Sequence, residues 1–133
     1  MKYILMMHGS KAKAKCDADA RWSKEDLERN VAFMWSFAQE LKDGGVFVDT
    51  QGLGWPQEAK IVRAGINGEP VTDGVFPESK EFLAGYWIVD VENPEQAYKI
   101  AARASAAPGP GGKPANTPIE VRQVLSSHGD LEL

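Results

Sequence analysis

The chain has 133 residues, 43% hydrophobic and 26% charged, with a formal net charge of −4. This is the length and composition of one soluble globular domain, residues 1–133, able to bury a core without disulfides or a structural metal. The acidic balance argues against a nucleic-acid surface, which needs a basic patch, and no window approaches the roughly 18 apolar residues of a membrane span.

The opening MKYILMMH holds a shorter apolar run than a signal peptide needs and has no small-residue cleavage site. The single cysteine, Cys16, precludes an internal disulfide, and together these features lead us to expect the reducing cytoplasm. Residues 3–7 read as a buried central strand, because they are apolar without alternation. The polar stretch 9–22 reads as a loop; its Lys11, Lys13 and Lys15 are followed at once by Asp17 and Asp19. Ser23 opens a helix: its hydroxyl is placed to accept from the Asp26 amide, and Glu25 and Asp26 suit the positive first turn. Leu27, Val31, Met34, Ala38 and Leu41 then recur at spacings of four and three as one apolar stripe. Phe37 and Trp35 flank that stripe, and Phe33 lies off it. KDGG ends the helix, with Lys42 at the negative end and Gly44 or Gly45 as the left-handed cap.

Residues 46–50 and 59–64 read as strands on either side of the turn GLGWP. Asn67-Gly68 is a tight-hairpin dipeptide of type I′, in which both central residues need positive φ, so 69–72 should pair back. Asp73-Gly74 reads as a turn, Pro77 as the start of one helical turn through Phe82, and 84–91 as a strand apolar on both faces. Asn93-Pro94-Glu95-Gln96 is the clearest helix start, with a capping Asn, Pro at the first helical position and Gln three residues after the cap. That helix runs to about Ala104, the Pro/Gly loop 107–114 follows, 118–125 is the last strand, and a polar tail begins at Ser126. The order is a βαββαβ ferredoxin-like α+β pattern with a hairpin insertion. Two helices on one face leave the other sheet face bare, and pairing with a second copy covers it, so a homodimer is expected.

The stretch TDGVFPESKEFLAGYWIVDV, residues 72–91, resembles the signature of the DGPF family within the YCII-related superfamily. Asp73, Gly74, Phe76, Glu78, Lys80, Glu81, Gly85 and Tyr86 fit that signature, with Val75 in place of the usual proline. MKYILMMHG, GGVFVDTQGL and IEVRQVL are also similar to the family, so the resemblance spans most of the chain. It implies a dimeric α/β barrel. It also implies a His–Asp pair and, in one branch, dehalogenation of a hydroxylated aromatic. The aspartate of that pair carries over to Asp73. The histidine sits early in the first helix of such proteins; here that stretch is LERNVAFM, with no histidine and with Phe33 at the corresponding place.

Asp73 is the leading catalytic candidate, either as a partly buried base or as an Asx-turn whose carboxylate accepts nearby amides. His8, at the end of the first strand, is the one histidine near the sheet centre; with an ordinary pKa of about 6.5 it suits either a base or a structural role. Arg63, Glu78, Lys80 and Tyr86 are the candidate substrate-binding residues. Lys80 or Arg63 would neutralise an anionic group, Glu78 would position it, and the Tyr86 hydroxyl would donate. Trp55 reads as core or lid, and Cys16 as a spectator. His8 and His128 are far apart and there is no cysteine pair, so no metal is expected. GPGG at 109–112 follows a helix and precedes a strand, the wrong order for a dinucleotide fingerprint, so no cofactor is expected. The function classes are a cofactor-free small-molecule enzyme of lyase or hydrolase type with a pocket at 71–86, a non-catalytic binding or regulatory dimer, and a purely structural dimer.

Overall fold

Strand β1 (Lys2–Ser10) pairs antiparallel with β5 (Glu81–Asp90) on one side and β6 (Ile119–Gln123) on the other, and β2 (Phe47–Gly52) pairs outside β5. The sheet order is therefore β2-β5-β1-β6, completed by helices α1 (Lys24–Asp43) and α2 (Pro94–Ser105). Strands β3 (Lys60–Ala64) and β4 (Pro70–Gly74) form a separate two-stranded sheet between β2 and β5 in the chain. This is the ferredoxin-like α+β fold with a hairpin insertion. The computed structural model describes residues 1–10, 22–54, 56–74 and 81–125.

Alternation along the central strands sorts the sheet into two faces. Tyr3 and Leu5 lie opposite Val89 and Trp87, and all four join the core with Phe37 and Leu41 of α1 and Ala97, Ala101 and Ala104 of α2. The three alanines let α2 approach the sheet closely. Ile4 and Met6 lie opposite Ile88 and Tyr86 on the other face, where they are only half-buried.

The α1 stripe is the main correction to the sequence reading. Leu27 and Val31 are each 53% exposed, while Phe37 is buried and Phe33 and Met34 pack against the core. The inward residues are Phe33, Phe37 and Leu41, four apart. Phe37 stacks on Phe33 with ring centroids 5.5 Å apart and meets Trp87 edge-on at 5.8 Å. Aromatic rings bury more area than the aliphatic residues they displace, and they gain from ring geometry as well. The helix turns to bury them.

Both N-caps form as expected. The Ser23 hydroxyl accepts from the Asp26 amide at 3.0 Å, and the Asp26 carboxylate accepts from the Ser23 amide at 2.9 Å. Asp26 does more than cap: the Gly111 N–H donates to it at 3.0 Å, and Asn30 Nδ2 donates to the Pro108 carbonyl at 3.0 Å. The Pro/Gly loop is thereby tied to α1. The Ser23 amide holds the buried Asp26 carboxyl below the usual carboxylate range; the Gly111 amide, the Ser23 hydroxyl and Arg29 add to this, against the opposing effect of burial. At α2 the Asn93 side chain accepts from the Gln96 amide at 3.0 Å, while the Gln96 side chain accepts from the Glu92 amide at 2.9 Å, one residue before the cap.

The left-handed glycine expected after α1 is present, and other local expectations change. Gly45, with φ +72°, is the left-handed residue after α1, while Gly44 stays right-handed. In the inserted hairpin Gly68 has φ +80° but Asn67 is not left-handed, so the turn is not type I′. Gly68 N–H instead donates to the Gly65 carbonyl at 3.0 Å, and Gly65 N–H to the Glu69 carbonyl at 2.7 Å. Asp73-Gly74 is not a turn: both residues belong to β4, with Asp73 opposite Ile61. Glu81 and Phe82 begin β5, so no helical turn reaches Phe82. Strand β1 continues to Ser10, which places His8 inside the strand rather than at its end.

Candidate functional site

A cavity of about 470 Å³ opens between α1 and the β2–β5 side of the sheet. The α1 wall is Val31, Met34, Trp35, Ala38, Gln39 and Lys42, and the sheet contributes Met7, Phe47, Thr50, Gln51, Gly52, Ala84, Gly85, Tyr86 and Trp87. Small residues keep the space open. At Gly85 a Cβ would lie 3.0 Å from the Gln51 carbonyl oxygen, so β2 and β5 come this close only because Gly85 has no side chain. The size falls within the roughly 300–1,000 Å³ of small-molecule sites, and the lining is mainly apolar with a few polar groups, as such sites are.

On the sheet face away from α1 the Tyr86 hydroxyl donates to Asp49 Oδ2 at 3.2 Å, while the Thr50 hydroxyl donates to the Tyr86 carbonyl at 2.9 Å. Burial pushes the Tyr86 phenol above its ordinary value, and the neighbouring Asp49 charge and hydrogen bond push it further. The phenol is thus held protonated, as a donor.

Of the six site residues expected from the sequence, Tyr86 borders this cavity, although its side chain points to the other face of the sheet. His8 Nε2 lies 3.2 Å from Glu120 Oε1, on the central sheet. Arg63 Nη1 donates to Asp73 Oδ2 at 3.5 Å within the inserted hairpin, where both side chains are more than half exposed. Asp73 therefore carries an Arg63 contact in place of the Asx-turn expected for it. His8 and Asp73 keep different partners in different sheets. Glu78, Lys80, Trp55, Cys16 and His128 lie outside the described residues.

The sequence reading passed over Asp49, Glu120 and the α1 wall. Asp49 sits in a recognised strand, but only the β2–β5 register, which shifts between Phe47 and Asp49, brings it to Tyr86. Phe33 stacks on Phe37 and packs against the core. Among the described residues no group of three or more His, Cys, Asp or Glu is gathered as metal ligands, and no helix is long and apolar enough to cross a membrane.

A ferredoxin-like α+β domain, with a ligand-sized apolar cavity between its first helix and the sheet, is the class these features define. Within that class, the chain belongs to the YCII-related domain family, which it matches over residues 1–113. No curated protein matches it.

Proposed function

We propose that this domain binds, without a cofactor, a small and largely apolar molecule in the cavity between α1 and β2–β5. One observation carries the reading: a cavity of about 470 Å³ walled mainly by apolar side chains, two of them tryptophans. Trp35 is 75% exposed, a poor use of a large aromatic unless something covers it. We also propose a cytoplasmic, DGPF-type homodimer, paired through the sheet face that carries Ile4, Met6 and Ile88. The half-burial of these apolar residues on a face without helices supports that pairing.

A second reading, a small-molecule enzyme of lyase or hydrolase type, is favoured by the Tyr86–Asp49 pair. A phenol held protonated on the helix-free sheet face can donate to a developing negative charge there, with Asp49 orienting it. Asp73 and His8 are further candidates for proton transfer in this reading, and Arg63, Glu78 and Lys80 for holding the substrate.

Intrinsic fluorescence tests the cavity directly, since Trp35 and Trp87 both line it. Titration with small naphthalene derivatives should give a saturable change that Trp35→Ala greatly weakens. A response that never saturates, or that Trp35→Ala leaves intact, would remove the binding reading. Turnover of a bound compound that is lost in Tyr86→Phe would promote the enzyme reading.

A further inference from the structure

The charge of the cavity is one-sided. Among the described residues its lining contains a single cationic side chain, Lys42, and no carboxylate. The Lys42 ammonium sits over the ring of Phe47, 5.1 Å from its centroid, and Phe47 is itself part of the wall. A cation–π contact of this kind holds the amine against the cavity instead of leaving it to wander in solvent. The acids next to it on α1 are engaged elsewhere: Glu40 pairs with Arg103, and Asp43 accepts from Gln39 Nε2 at 2.9 Å. Among the described residues Lys42 has no ion-pair partner.

Resting on the cavity as a ligand site, we infer that it selects small monoanions with an aromatic or apolar body, of the arene carboxylate class, and that Lys42 is the residue that sets this choice. The apolar body would lie against Val31, Met34 and Trp35, with the carboxylate turned to Lys42. Apolar walls exclude water and strengthen a charge pair relative to one on an open surface. The carbonyl end of α1 works the other way, because its partial negative charge disfavours an anion. The preference therefore depends on Lys42 and disappears with it.

Calorimetric titration with 2-naphthoate and its neutral counterpart 2-naphthalenemethanol tests this. The wild type should bind the carboxylate about two- to fivefold more tightly, a margin typical of a partly exposed ion pair, and added salt should narrow it. Lys42→Met and Lys42→Gln should abolish the preference, and Lys42→Arg should keep it. Lys42 is exposed, so these variants should melt with the wild type. Equal affinity for the two compounds, or a preference that survives both Lys42→Met and Lys42→Gln, would overturn the charge selection and leave the cavity reading standing. If neither compound binds, the cavity reading falls and the charge selection falls with it.

Discussion

The Tyr86 hydroxyl reaches across from β5 to the Asp49 carboxylate of β2, 3.2 Å away, on the sheet face that carries no helix. Burial first, then the Asp49 charge and hydrogen bond, raise the Tyr86 pKa above its ordinary value of 10.0. The folded state thus prefers the neutral phenol, and the unfolded chain releases the proton more readily. Stability from this pair should be complete below about pH 10 and decline as pH rises from there through the folded-state value. Ultraviolet titration of phenolate absorbance, wild type against Tyr86→Phe, should show one late-titrating tyrosine absent from the variant. Asp49→Asn should move that tyrosine only part of the way back, because burial is the larger cause.

Asp26 works with the opposite sign. The Ser23 amide, with the Gly111 amide and Arg29, favours its charged form, so its folded pKa lies below the ordinary 3.8. Stability from these bonds is present above pH 3.8 and is lost as pH falls through the lower, folded value. Asp26→Asn should lower Tm at neutral pH, and the gap from wild type should shrink on acidification below that window. Faster amide exchange at Gly111 should accompany the loss, since its N–H donates to Asp26. A gap that does not change with pH would mean that the charge contributes nothing to the tie between α1 and the Pro/Gly loop.

On α1 the ring contacts, and not the longest aliphatic stripe, decide which side faces the core. Phe37→Ala should cost about 3–5 kcal/mol, the usual range for a fully buried ring. Leu27→Ala should change stability by no more than about 0.5 kcal/mol, because Leu27 is 53% exposed. Denaturant unfolding of the two variants would separate them. Comparable losses would return Leu27 to the core and undo the observed rotation of the helix.

This rotation shows where sequence legibility stops. The order of elements and the caps at Ser23 and Asn93 were readable because they depend on residues three or four apart, whose geometry is local. The inward side of α1 depends on Trp87, a partner 50 positions from Phe37 that spacing within the helix does not reveal. Asp73-Gly74 reads as a turn by composition, but pairing with β3 outweighs that local preference and draws it into a strand. Tyr86 was found, since strand alternation points it to one face, while its partner Asp49 required the register of a neighbouring strand.

Asp73→Asn should change stability by no more than about 0.5–1 kcal/mol. Among the described residues its side-chain contact is the 3.5 Å pair with Arg63, with both side chains more than half exposed, and such pairs contribute little. An unchanged Tm is therefore expected whether or not Asp73 takes part in chemistry, and only an activity or binding measurement separates the two. A loss of several kcal/mol would show that Asp73 makes contacts beyond Arg63.

The bare sheet face supplies the last test. Ile4 lies opposite Ile88 at its centre, with Met6 and the His8–Glu120 pair beside them. Apolar residues in such a setting gain by meeting a second copy, and a two-fold axis would bring each face against itself. Light scattering at micromolar concentration should give about twice the 14.5 kDa chain mass. Ile88→Asp would place an unpaired carboxylate in the middle of the contact, a heavy cost for the dimer. In the monomer the same side chain is half-buried and reaches water. The variant should therefore run at 14.5 kDa while keeping its circular dichroism. A wild type already at the single-chain mass, or an Ile88→Asp variant that stays dimeric, would show that this face is not the interface.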